Sequence, residues 1–243
     1  MEKINSDINV IGSIPDFNFI EVALEQFSKE KGHANFKELV VTNNAFDFRT
    51  ESTRKRFLSA VNGSILVFSN DNHKALIVSL FSITGQESLK RMAVFWQLLF
   101  GNELFLLISK NVYAKAYFSG RKSLAGDEVF AYLKDLQTTI PKLKEFSNAT
   151  LEIISSKYLT ILRKLEMAQG VVKKRILNVR LSEHEILFFV YLILSVYSAT
   201  KNILNNPYRE FFFLEDSELI QALKNIKYMN YTRLWPFYVT ATS

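Results

Sequence analysis

The chain has no cysteine, only three histidines, four prolines and eight glycines in 243 residues. Without cysteine there is no disulfide framework, no thiolate-ligated metal and no thiol nucleophile, and a reducing compartment is allowed. His33, His73 and His184 stand far apart, with no metal-ligand spacing. No GxxxxGKS/T, GxGxxG or GxSxG segment occurs, so phosphate cradling, dinucleotide binding and a nucleophile elbow have no footing. Long hydrophobic runs are missing as well. The longest without charge, Ile186 to Ala199, has fourteen residues, short of the roughly 20 that cross a bilayer. A second apolar run, Met92 to Ile108, carries Gln97, Asn102 and Glu103 near its centre, where an ionisable group is costly in lipid. The start of the chain lacks the basic residues and apolar run of a secretory signal. These absences favour a cytoplasmic protein outside the membrane, without enzymatic activity, metal, cofactor or small-molecule substrate.

What is present is apolar and aromatic: 48% of residues are hydrophobic, with 21 Phe and 10 Tyr. That suffices for a real core, and with so little Gly and Pro it favours long helices over turn-rich sheets. The expected fold is mainly α and multi-helical. Asp16 is the expected N-cap of a helix that Gly32 ends, and a short helix covers Asn35 to Asn43. Thr50 or Ser52 opens the next. Three Leu-, Phe- and Ile-rich helices are expected over Asn72 to Thr84, Ser88 to Phe100 and Asn102 to Phe118. The Gly- and Ser-containing stretch Ser119 to Asp127 is the best candidate for a linker or exposed loop. It divides the chain into an N-terminal helical domain, 1–122, and a C-terminal domain, 123–243.

The formal net charge is +6, and its distribution says more than its size. Acid-free basic stretches run from Ser52 to Asn70, from Leu104 to Gly126 and from Met167 to Ser182, whereas Glu210, Glu215, Asp216 and Glu218 cluster near the C-terminus. Arg54, Lys55 and Arg56 fall in or near the first turn of a predicted helix, where cations oppose the helix dipole. They are therefore candidates for contact with an anionic partner.

The C-terminal half carries the main motif. Asp127 is expected to cap a helix to about Gln137, a short helix covers Lys142 to Phe146, and a third runs from Ser147-Asn148 to Gly170. In the third, Leu151, Ile154, Tyr158, Ile161, Leu165 and Ala168 recur at spacings of three and four, one apolar stripe. Its other face holds Ser156, Thr160 and Arg163, flanked by Lys157 and Lys164. The following VVKKRILNVRLSE reads as a short β-hairpin turning near Asn178, with Lys173, Lys174, Arg175 and Arg180 as its cations. Three helices and a basic hairpin outline a helix-turn-helix of the winged-helix kind. In such modules hydroxyl and Arg groups on the third helix read the major groove of double-stranded DNA while hairpin cations meet phosphates.

Ser182 to Glu185 forms a capping box that starts an apolar helix to about Leu204 and places His184 on the surface. Tyr208, Phe211, Phe212, Phe213 and the tail YMNYTRLWPFY read as core closure, although aromatics beside Arg209 and Arg233 also suit stacking on bases.

The succession NAFDFRTESTRKRFLSAV (Asn44 to Val61), FLLISKNVYAKAYFSGRKSLAGDEVFAYL (Phe105 to Leu133) and SNATLEIISSKYLTILRKLEMAQGVV (Ser147 to Val172) resembles the BrxA family of BREX phage-defence systems. That resemblance implies a helical, non-catalytic, DNA-binding accessory protein acting with methyltransferase and ATPase components. It supplies no catalytic residue. Two other functions suit the same features: an assembly adaptor joining larger BREX proteins, and a winged-helix transcriptional regulator acting as a dimer.

Overall fold

A computed structural model describes residues 4–15, 18–30, 33–197 and 202–226. The expected cap Asp16 and terminator Gly32, and the aromatic tail, lie outside these residues. By its contacts the chain forms two units, one from the described residues within Met1–Val67 and Ile77–Asn178, the other from those within Phe68–Leu76 and Val179–Ser243.

The first unit opens with α1 (Asp7–Ser13), α2 (Asn18–Glu30) and α3 (His33–Lys37), the last running into a π-helical turn, Glu38–Thr42. α4 (Glu51–Ser64) starts where Thr50 Oγ1 accepts from the Thr53 N–H at 3.2 Å. α5 (Asp71–Phe81) begins in the second unit and ends in the first. α6 (Glu87–Gly101) is the core helix: Met92, Ala93, Val94, Phe95, Trp96, Leu98 and Leu99 are all buried. Its buried Lys90 reaches Glu25 at 3.5 Å and lies over the Phe81 ring, a partnered cation rather than an isolated one.

At Asn102 the chain bends by 108° into α7 (Glu103–Ile108), a π-helical turn (Ser109–Ala114) and α8 (Lys115–Phe118). Among the described residues no single helix is long and apolar enough to cross a membrane, and the one pair of helices that satisfies length and composition together is broken at this bend. The bend is fixed by polar bonds. Asn102 Oδ1 accepts from the Phe105 N–H at 2.9 Å, and Asn102 Nδ2 donates to Ser64 Oγ at 3.0 Å and Asn5 Oδ1 at 2.8 Å. The Ser64 hydroxyl in turn donates to Asp7 Oδ2 at 2.9 Å. This network ties α1, α4 and the α6–α7 corner together, and burial pushes the Asp7 carboxyl above its usual range despite the Ser64 hydroxyl. A raised pKa means that the folded chain holds this proton more tightly than the unfolded chain does, so ionised Asp7 costs stability above the folded pKa and protonation relieves the cost as pH falls. Asp7→Asn is accordingly expected to raise the melting temperature modestly at neutral pH and to flatten its rise in mild acid. An unchanged pH profile would show that Asp7 is not the titrating group.

The remainder of the first unit is a compact module: β1 (Ser123–Leu124), α9 (Gly126–Thr139), a 3-10 turn (Pro141–Glu145), α10 (Asn148–Lys164), β2 (Ala168–Gln169) and β3 (Lys174–Ile176). The strands form one antiparallel sheet in the order β1-β3-β2, with Ser123 opposite Arg175 and Ala168 opposite Ile176. The fold is thus mainly α with a small sheet.

Several local expectations change here. Within the stretch Ser119 to Asp127, read as a linker or exposed loop, Ser123–Leu124 form β1 and pair with β3. α9 begins after Ala125, whose N–H donates to the Glu128 carboxylate at 2.9 Å, so Asp127 is not the cap. α10 ends at Lys164, not at Gly170, because Glu166 takes a left-handed conformation (φ 58°) that turns the chain into β2. The hairpin turns at Gly170 to Lys173 instead of near Asn178. Gly170 has φ 112°, which suits a residue without Cβ, while the Asn178 side chain accepts from the Tyr117 hydroxyl at 2.9 Å.

The second unit contains α11 (Glu183–Val196), 3-10 turns at Ile203–Asn205 and Arg209–Phe212, and α12 (Asp216–Asn225). The Ser182–Glu185 capping box forms as expected, with His184 exposed, but α11 ends before Leu204. Phe189 and Phe212 meet with ring centroids 4.6 Å apart, and Tyr208, Phe211, Phe213, Leu219 and Leu223 are buried. Among the described aromatics of this block the role is packing. Arg209 pairs with Asp216.

A candidate nucleic-acid interface

α10 is seated from three sides. Leu151, Ile154, Tyr158, Ile161 and Leu162 face inward, following the three-and-four spacing of the stripe. Tyr158 is fully buried, and its hydroxyl meets Ser109 Oγ of the π-helical turn at 3.1 Å; desolvation pushes its pKa far up. Tyr113 of the same turn donates to the Met167 carbonyl at 3.3 Å. The turn into α10 is held by Gln137, whose amide donates to the Leu143 and Phe146 carbonyls, each at 2.8 Å, and Ser147 Oγ caps α10 by accepting from the Thr150 N–H. Gln137→Ala leaves two part-buried carbonyls without their donor and should cost about 1–3 kcal/mol. Chemical denaturation measures it, and an unchanged midpoint would show that the turn holds itself.

The third side is α1, which lies along α10. A Cβ at Gly12 would come 2.7 Å from the Lys157 carbonyl oxygen, so the helices approach nearly backbone to backbone. Lys164 Nζ donates to the Gly12 carbonyl at 3.2 Å and to that of Ile14, placing a cation at the C-terminal end of α1 where the dipole favours it.

The sequence-derived candidates therefore separate by what their charged groups do. Ser156 and Arg163 are exposed on the outer face of α10, with Glu152 and Ile153 beside them. Thr160 is half-buried and bonds back to the Ser156 carbonyl at 2.9 Å, and Lys157 is half-buried beneath α1. Lys164 is engaged with α1. In the hairpin Lys173 and Arg175 are exposed, Arg175 bonding Gln169 Oε1 at 2.7 Å, whereas Lys174 is 6% exposed and donates to the Gly170 carbonyl at 2.8 Å and to that of Val171.

Burial, and to a lesser extent the Arg163 guanidinium, lower the Lys174 pKa, and α10 packs on β2 of the sheet. Burial pushes the Glu128 carboxyl up, but the Ala125 N–H, its ion pair with Arg121 and the nearby Lys173 together hold it below the usual range. Exposed Lys122 lies on the segment leading to β1, its carbonyl bonded to the Ile176 N–H at 3.0 Å. Ser156, Arg163, Lys173, Arg175 and Lys122 are thus the exposed groups of this module that a nucleic acid could reach.

The other candidates belong to other segments of the chain. Arg54 donates to the Val41 carbonyl at 2.5 Å, Lys55 pairs with Glu51 at 2.6 Å, and Arg56 is exposed on α4. Arg180 is exposed but belongs to the second unit. The feature that sequence reading missed is apolar: Val171 and Val172 are 82% and 88% exposed at the hairpin tip. A turn assigned to Gly170 would have placed them there.

Among the described residues no group of three or more His, Asp and Glu side chains is arranged to hold a metal. A family model described as BrxA matches residues 19–189. No curated protein matches the chain.

Proposed function

Since this chain belongs to the BrxA family, and so is a component of BREX phage defence, we propose that it binds double-stranded DNA there as a non-enzymatic cytoplasmic accessory. The module from α7 to β3 is read as a winged helix, with α9 and α10 as its helix-turn-helix and β2–β3 as its wing. The order of elements and the β1-β3-β2 sheet support that reading. The observation that carries it is the exposure of Arg163 near the end of α10, which packs on β2, together with the exposure of Lys173 and Arg175 in the hairpin that follows. Hydroxyl and guanidinium groups face outward on the helix that would enter the major groove, and Lys173 and Arg175 stand where phosphates would pass.

Phosphate contacts dominate in this reading, so sequence preference is slight. A labelled 30-bp duplex should be bound at low salt and displaced about equally by unrelated duplexes of the same length. Absence of binding to any duplex at low salt, with retention of a larger BREX protein, would replace the reading with that of an assembly adaptor.

A further inference from the structure

The tip of the hairpin presents two branched apolar side chains to solvent, Val171 at 82% and Val172 at 88% exposure. Turn tips ordinarily carry Gly, Asn, Asp or Ser, which tolerate water and unusual dihedrals. Here only Gly170 does so: a Cβ on it would lie 2.7 Å from the Lys173 carbonyl oxygen. The tip is also braced from within. Buried Lys174 draws the Gly170 and Val171 carbonyls onto its ammonium group, which fixes that part of the loop backbone from beneath. Lys174 is thus a support for the tip. Exposed Lys173 adjoins the valines, and Arg175, held by Gln169, stands just behind.

We propose that Val171 and Val172 form an apolar wedge that enters the minor groove of duplex DNA while Lys173 and Arg175 grip the flanking phosphates. This deepens the DNA-binding reading and rests on it. The two exposed cations beside the tip, Lys173 and Arg175, favour DNA as the occupant, because an apolar tip next to positive charge complements a groove walled by phosphate. Apolar side chains pressed between base steps unstack them and bend the duplex. An apolar wedge releases no counterions, so its contribution is independent of salt.

The test compares the full chain with Val171→Ser/Val172→Ser on a 30-bp duplex labelled at both ends, reading affinity by anisotropy and end-to-end distance by energy transfer. Wild type should shorten the distance. The double variant should bind about tenfold more weakly, as for about 1.4 kcal/mol, with an unchanged salt slope and no shortening. Because both side chains are exposed, its melting temperature should match wild type, and a folded variant that binds and bends DNA like wild type would overturn the wedge. Lys173→Glu separates the two levels. If it lowers the salt slope while the valine variant changes nothing, DNA binding stands and the wedge falls; if wild type binds no duplex, both fall.

Discussion

Gly101→Ala is expected to destabilise the first unit by about 3 kcal/mol or more, at the upper end of overpacking penalties. The added Cβ would lie 2.8 Å from the Ser64 carbonyl carbon and closer still to its oxygen. Both are backbone atoms of α4, so no rotamer change relieves the clash. The helices must part at the corner where Asn102, Ser64, Asn5 and Asp7 share their hydrogen bonds, and buried polar groups that lose partners add their own cost. Gly126→Ala is the matched control. No atom lies within 4 Å of its Cβ position, and at the start of α9 alanine should be neutral or stabilising by up to about 1 kcal/mol. Equal denaturation midpoints for the two variants would contradict the close packing of α4 against α6.

Arg163→Glu/Lys173→Glu/Arg175→Glu should weaken duplex binding by on the order of a hundredfold or more at moderate salt, with a normally folded chain. Each lost phosphate contact lowers the magnitude of the salt slope by about one unit, and a lost base contact costs roughly 1–3 kcal/mol. These three side chains are exposed, and exposed charges contribute little to stability. Lys164→Ala and Lys174→Ala should behave in the opposite way. Their ammonium groups hold backbone carbonyls of α1 and of the hairpin tip, so stability should drop while the salt slope changes little. A surface chosen by net charge alone would treat all five cations alike.

Much of this was legible in the sequence for a physical reason. Helices such as α4 and α10 have three-and-four apolar periodicity, α6 is an apolar run buried on all sides, and Thr50, Ser147 and Ser182 are side-chain caps whose chemistry is local. What escaped was decided by tertiary partners. β1 is two residues long, with no alternation to reveal it, and exists because β3 offers a free edge. The early end of α10 depends on a left-handed glutamate, a conformation that composition does not signal. The roles of Lys164 and Lys174 were hidden for the same reason: charge is written in the sequence, but the carbonyls that occupy it come from α1 and from the folded-back tip. Arg163, Lys173 and Arg175 kept their exposure because their own elements turn them outward.

The most direct test of DNA recognition by the α10–hairpin surface is the slope of log affinity against log salt for wild type and for Arg163→Glu/Lys173→Glu/Arg175→Glu on the same random duplex. A steep wild-type slope that shrinks in magnitude by about two to three units in the folded variant is the expected result. Equal slopes and equal affinities for the two proteins would contradict it.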